Sequence, residues 1–168
     1  MPAFRRRSAW LAAAILAAVV VNAQSAAIDD CTRLFGKDAI ASCTLVIDDD
    51  KTGAGARVFA YIVRARAALD ISDLAKAEAD IGAALALQPN SAFALRVRGR
   101  LRNIQGRNAD ARADYSKALE LSDTPSSQHV SYLDRAQFLA RIKEYQDALA
   151  DFDAAIKLDA TKARSVLG

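Results

Sequence analysis

Asp110-Ala111-Arg112-Ala113-Asp114-Tyr115-Ser116-Lys117-Ala118-Leu119 decides the fold, because the chain writes the same phrase twice more. Lys76-Ala77-Glu78-Ala79-Asp80-Ile81-Gly82-Ala83-Ala84-Leu85 precedes it, and Asp147-Ala148-Leu149-Ala150-Asp151-Phe152-Asp153-Ala154-Ala155-Ile156 follows. Ala77 and Ala111 are 34 residues apart, and Ala111 and Ala148 are 37 apart. Each copy places Ala first, then Ile, Tyr or Phe four residues on, then Ala seven residues on. Those positions lie on one face of a helix. The small residues let a second helix approach, and the large one fills the gap between the two.

A second helical segment stands ahead of each copy: Val58–Leu69, Ala92–Gln105 and His129–Ile142. These carry Tyr61, Leu95 and Tyr132, followed four residues later by Ala65, Gly99 and Ala136. The turns inside each pair are short: Asp70–Asp73, Gln105–Asn108 and Arg141–Glu144. Gln88-Pro89-Asn90 separates the first pair from the second, since proline has no donor for a helix interior. The three extra residues of the longer spacing fit a loop at Ser122–Gln128 around Pro125. Few prolines and glycines, 3 and 7 in 168 residues, agree with an all-α chain.

A period near 34, a small residue on the first helix, Ala, aromatic and Ala on the second, and a closing proline together resemble the tetratricopeptide repeat (TPR). The resemblance covers roughly Val58 to Ala160. Arg102 and Ala68 stand where that family usually has an aromatic, and Asn108 replaces a bulky turn residue, so the repeats are degenerate. The resemblance implies a right-handed α–α solenoid of about three helix pairs, at 58–91, 92–125 and 129–162, within a domain of residues 56–168. A degenerate helix pair, Ala26–Phe35 and Asp38–Ile47, is expected in residues 24–55 ahead of it. In that segment Cys43 takes the place of Ile81, Tyr115 and Phe152 and faces the helix that carries Cys31. A similar opening with paired cysteines marks a group of bacterial exported repeat proteins.

Residues 1–23 have the order of a secretory signal. Arg5, Arg6 and Arg7 lead, an apolar run from Trp10 to Val21 follows, and Asn22-Ala23-Gln24-Ser25-Ala26 supplies small residues for cleavage after Ala23. Cleavage after Ser25 or Ala27 also satisfies the rule, and the rival reading is an uncleaved anchor. Twelve helical residues rise about 18 Å, short of a hydrocarbon core of about 30 Å. Export to the bacterial periplasm, or secretion, with no membrane attachment after cleavage, is therefore expected. Three of the 23 basic residues lie in the leader, which leaves 20 against 20 acidic ones, so the formal net charge of +3 belongs to the leader. A neutral mature chain gives no footing for nucleic-acid binding. In an oxidising compartment the two cysteines, Cys31 and Cys43, are expected to form a disulfide.

A search for chemistry finds little. His129 is the single histidine, and no nucleophile stands in a motif with it. Asp48-Asp49-Asp50-Lys51-Thr52-Gly53 opens like a calcium loop, but Phe59 stands where the bidentate glutamate belongs, so a solvated linker running through Gly53-Ala54-Gly55 is expected instead. No enzyme activity, metal site or cofactor is expected.

Binding is what remains. The resemblance implies a concave groove lined by the first helix of each pair, here Phe59, Ile62, Arg66, Phe93, Arg96, Arg100, Val130, Leu133, Gln137 and Arg141. Four arginines with no acid among those positions favour an acidic or carboxylate-bearing protein or peptide. The lysine and asparagine clamp that part of the family uses is replaced here by Ile62, Arg66, Val97, Val130 and Asp134, of which Arg66 alone could serve. Arg64 and Asp80, Arg98 and Asp114, and Arg135 and Asp151 are each sixteen apart. They are expected to form ion pairs within each repeat, the alternative being a ligand-binding ladder. An open last repeat also allows weak self-association through Leu149, Phe152, Ile156 or the tail.

Overall fold

The computed structural model describes residues 27–167, with side chains to Asp159. The expected leader, residues 1–23, lies outside them. Eight helices follow one another: α1 (27–33), α2 (Gly36–Asp48), α3 (Ala54–Asp70), α4 (Leu74–Leu87), α5 (Ala92–Ile104), α6 (Asn108–Glu120), α7 (Pro125–Arg141) and α8 (Tyr145–Leu167). No strand occurs among the described residues. Neighbours in sequence pack as neighbours in space, α3 on α4, α5 on α6 and α7 on α8, and α5 also touches α3 on one side and α7 on the other. The result is an α–α solenoid.

The repeated face is the core. Ala39, Cys43 and Val46 of α2, Ala77, Ile81 and Ala84 of α4, and Ala111, Tyr115 and Ala118 of α6 are all buried. In α8 the same positions hold buried Ala148 and Ala155 with half-buried Phe152. Cys31 and Cys43 are joined by a disulfide and sit with Val46, Ile47, Ala60 and Val63 in an apolar cluster at the N-terminal end.

The turns within pairs share one geometry. Ser72, Gly106 and Lys143 have φ of 62°, 76° and 66°, the left-handed region. At each turn the next residue's N–H reaches back five positions to a helix carbonyl: Asp73 to Ala68, Arg107 to Arg102, and Glu144 to Leu139, at 2.8–2.9 Å. This is the Schellman arrangement, which satisfies the last carbonyls of the first helix and prefers glycine at the left-handed position. The second repeat has that glycine and the others carry a Cβ strained by about 1–2 kcal/mol. Glycine also adds freedom to the unfolded chain, worth about 0.4–1 kcal/mol in the opposite sense. Lys143→Gly is thus expected to stabilise by about 0.5–1 kcal/mol, read as a higher thermal midpoint. An unchanged or lower midpoint would show that the turn is unstrained.

Three helix limits differ from the sequence reading. Helix α7 begins at Pro125, inside the expected Ser122–Gln128 loop. Proline is suited to the first helical position, and Thr124 caps the end, its hydroxyl accepting from Ser127 N–H at 3.1 Å while Thr124 N–H donates to Ser127 Oγ. Helix α3 begins at Ala54, so the linker after Asp48 is shorter than expected; Arg57 folds back over it, donating to the carbonyls of Asp49 and Thr52. Helix α8 continues to Leu167, beyond the expected end of the last repeat at residue 162.

Candidate functional site

The arginines and aspartates spaced by sixteen meet across each pair. Arg64 donates through Nε and Nη2 to the two carboxylate oxygens of Asp80 at 2.8 and 2.7 Å. Arg98 and Asp114 do the same at 3.0 and 2.7 Å, and Arg135 and Asp151 at 2.7 and 2.8 Å. All three carboxylates are buried, and the hydrogen bonds to them hold each guanidinium above its usual pKa, against the effect of burial. Arg64 also reaches Thr44 Oγ1 on the preceding helix, and Arg135 reaches Ser116 Oγ at the equivalent place. In the middle repeat that place is Gly82, and Arg102 instead joins Arg98 on Asp114 at 2.6 Å. Forked pairs of this kind fix the rotation of one helix against its partner. They lie between the helices of each pair, away from the concave cavity.

The concave side carries a cavity of about 370 Å³ between α3, α5 and α7. Arg66, Phe93, Arg96, Arg100, Val130, Gln137 and Arg141 line it, together with Val97, Tyr115, Asp134 and Phe138. Phe59 stands outside the lining, its ring 5.9 Å from that of Phe93. Leu133 is half-buried and outside it too. Ile62 was expected in the groove and is instead in the core, 2% exposed, packed with Val58, Ala65 and Val97. It points between α3 and its neighbours because its turn of the helix meets α5.

The expectation of a groove without acids is also corrected. Asp134 lines the cavity and accepts from Arg96 Nε at 2.8 Å, while Asp70 accepts from Arg100 Nη2 at 2.8 Å. Arg96 in addition donates to Ser131 Oγ at 3.3 Å and lies 5.2 Å from the Phe93 ring centroid. Arg96–Asp134 ties α5 to α7, and Arg100–Asp70 ties α5 to α3, so both arginines brace the groove. Among the described residues no ion pair reaches Arg66 or Arg141, and both are exposed. Burial raises the Asp134 carboxyl above the ordinary value, against the pull of Arg96, Arg100 and Arg66.

Tyr115 is the groove residue that sequence reading assigned only to the core. Its hydroxyl is pushed above the usual phenol pKa mainly by burial, so it stays protonated and able to donate. The signal in the sequence was Gly99, standing where the other pairs have Ala65 and Ala136.

His129 Nδ1 is 2.9 Å from the Ala155 carbonyl oxygen, a contact that joins α7 to α8. Among the described residues no group of three or more metal-binding side chains occurs, and no helix is long and apolar enough to cross a membrane.

Paired helices with a small–large–small face, stacked around a concave cavity, define a TPR-like helical-repeat fold. Among solved structures the chain is similar to the crystal structure of MamA, a TPR-containing protein. The two share 22% identity and a TM-score of 0.55 over 76% of this chain and 70% of that one, a likeness of fold. No family profile and no curated protein matches the sequence.

Proposed function

We propose that this protein is an exported scaffold that holds an acidic segment of a protein partner in its concave groove. The observation that supports the reading is the pair of unpaired guanidiniums, Arg66 and Arg141, lining a cavity whose apolar walls include Phe93, Val130 and Phe138. Arginine and aromatic side chains in a concave, partly desolvated surface are what binding hot spots contain. Export is supported by the leader-like residues 1–23 and by the Cys31–Cys43 disulfide, which an oxidising compartment preserves.

The test is capture of the partner from the producing cells by the wild type and by an Arg66→Ala/Arg141→Ala double variant. Neither residue braces the fold, so the variant should melt as the wild type does and lose the partner. Undiminished capture would reject the groove. Arg96 and Arg100 are poorer targets, because removing them also cuts the ties between α3, α5 and α7.

A second reading, a self-associating assembly factor of the cell envelope, has one observation in its favour. Tyr145, Leu149 and Ile156 lie on α8 with 63%, 57% and 64% exposure. Leu149 stands where α4 has the exposed Glu78 and α6 has Arg112, which pairs with Glu144. A solution mass that rises with concentration and falls back in Leu149→Glu would favour this reading over the first.

A further inference from the structure

Tyr115 is built into α6 at a position that does not call for a hydroxyl. Cys43, Ile81 and Phe152 fill the equivalent places in α2, α4 and α8 with apolar groups. The Tyr115 side chain does more than fill a gap, because it passes from the core to the concave surface. Only 5% of the residue is exposed, yet it lines the groove cavity. The passage exists because Gly99 of α5 lies beside the ring. A Cβ there would come within 3.0 Å of Cε2 and 3.1 Å of Cδ2 and Cζ, tighter than ordinary packing allows. The Phe138 ring holds it as well, with centroids 5.2 Å apart and planes inclined at 31°. Glycine on one side and an aromatic ring on the other fix where the phenol ends.

The hydroxyl at that end has no hydrogen-bond partner among the described residues and opens onto the solvent of the cavity. Water satisfies the hydroxyl at little cost while the cavity is open, and a ligand that displaces that water must accept the proton in its place. Arg66 and Arg141 line the same cavity and are likewise unpaired. Three donors without acceptors, two of them cationic, therefore converge on one concavity. Arg96 takes up the Asp134 carboxylate in the same wall, so Arg66 and Arg141 remain to meet an acceptor such as a carboxylate.

We infer that the Tyr115 hydroxyl is a ligand contact, donating a hydrogen bond at the groove floor to a carboxylate of the bound segment while Arg66 and Arg141 supply the charge. The inference rests on the groove reading above and gives it a chemical specificity. A neutral donor beside two guanidiniums suits an acidic side chain or a chain-terminal carboxylate equally, so the test carries both.

Protein labelled with carbon-13 at tyrosine Cζ is titrated with three peptides. N-acetyl-triglutamate amide offers only side-chain carboxylates, N-acetyl-trialanine only a terminal one, and N-acetyl-triglutamine amide none. Tyr115→Phe assigns the resonance and removes only the hydroxyl. The expected result is a saturable shift of the Tyr115 signal with at least one acidic peptide and none with triglutamine. Tyr115→Phe should bind that peptide about tenfold more weakly, the worth of one hydrogen bond to a charged group, and melt no lower than the wild type. Arg66→Ala/Arg141→Ala should abolish binding. If the acidic peptide needs the two arginines but ignores Tyr115→Phe and leaves the Cζ signal unmoved, the inference is overturned and the groove stands. If neither acidic peptide binds, the arginine groove falls and the inference with it.

Discussion

Asp114→Ala is expected to destabilise the protein by about 3 kcal/mol. Asp114 is 3% exposed and accepts from both Arg98 and Arg102, so its removal strands two guanidiniums at once. Breaking a buried pair from one side costs about 3–5 kcal/mol, because the partner's charge is left without compensation. The lower end applies here, since Arg98 and Arg102 are 33% and 22% exposed and each can turn partly towards water. Against a total stability of about 5–15 kcal/mol such a loss is large. Asp110 provides the control: its pair with Arg107 is half-exposed on both sides, and such pairs contribute about 0–1 kcal/mol. Urea unfolding of Asp114→Ala and Asp110→Ala should separate the two by more than 1 kcal/mol, with peptide binding in the groove unchanged in both. Equal midpoints would mean that the buried pairs do not frame the repeats. Lost binding at unchanged stability would make them a ligand ladder.

The second large effect is expected at the N-terminal end. Cys31 and Cys43 are 12 residues apart, and closing a loop of that length stabilises by about 3 kcal/mol in the chain-entropy account. The loss should be local. The described part of helix α1, residues 27–33, is pinned to α2 by the disulfide in the cluster with Val46, Ala60 and Val63. In a stacked repeat each unit leans only on its neighbours, so α1 and α2 should open first while α5 to α8 keep their structure. Hydrogen exchange on the Cys31→Ala/Cys43→Ala variant, or on the reduced wild type, should show protection lost in residues 27–48 and retained in the later repeats. Alanine serves better than serine here, since both cysteines are buried among apolar groups. Unchanged protection in residues 27–48 would show that apolar packing alone holds the end.

The fold was legible because its information is periodic. Ala77, Ala111 and Ala148 repeat at nearly constant spacing, and stacking demands the same small side chain at each. The pairs at spacing sixteen were legible for the same reason: Arg64, Arg98 and Arg135 sit at one register of the first helix, and their aspartates at one register of the second. What the groove does was less so. Arg96–Asp134 and Arg100–Asp70 join residues 38 and 30 apart, different spacings in different directions, so no internal repeat announces them. Ile62 shares the helix with Arg66 but belongs to the core, because four residues of helix advance slightly more than one turn and α5 packs on that side. The groove role of Tyr115 depends on the absence of one methyl group at Gly99 in a neighbouring helix. Pattern showed a large residue opposite a small one, while the coordinates showed where the large one ends. At Pro125 the same residue that signals a break between helices also suits the first turn of the next, and Thr124 decided in favour of the helix.

On the proposed reading, partner binding is confined to the concave face between α3, α5 and α7. A photo-reactive amino acid placed at Gln137, which lines the cavity, and separately at Ile156, on the exposed face of α8, tests it in the producing cells. The expected result is a discrete cross-linked partner from position 137 that vanishes with Arg66→Ala/Arg141→Ala, and none of that mass from position 156. Cross-links from position 156 that persist in the double variant, with none from position 137, would contradict it.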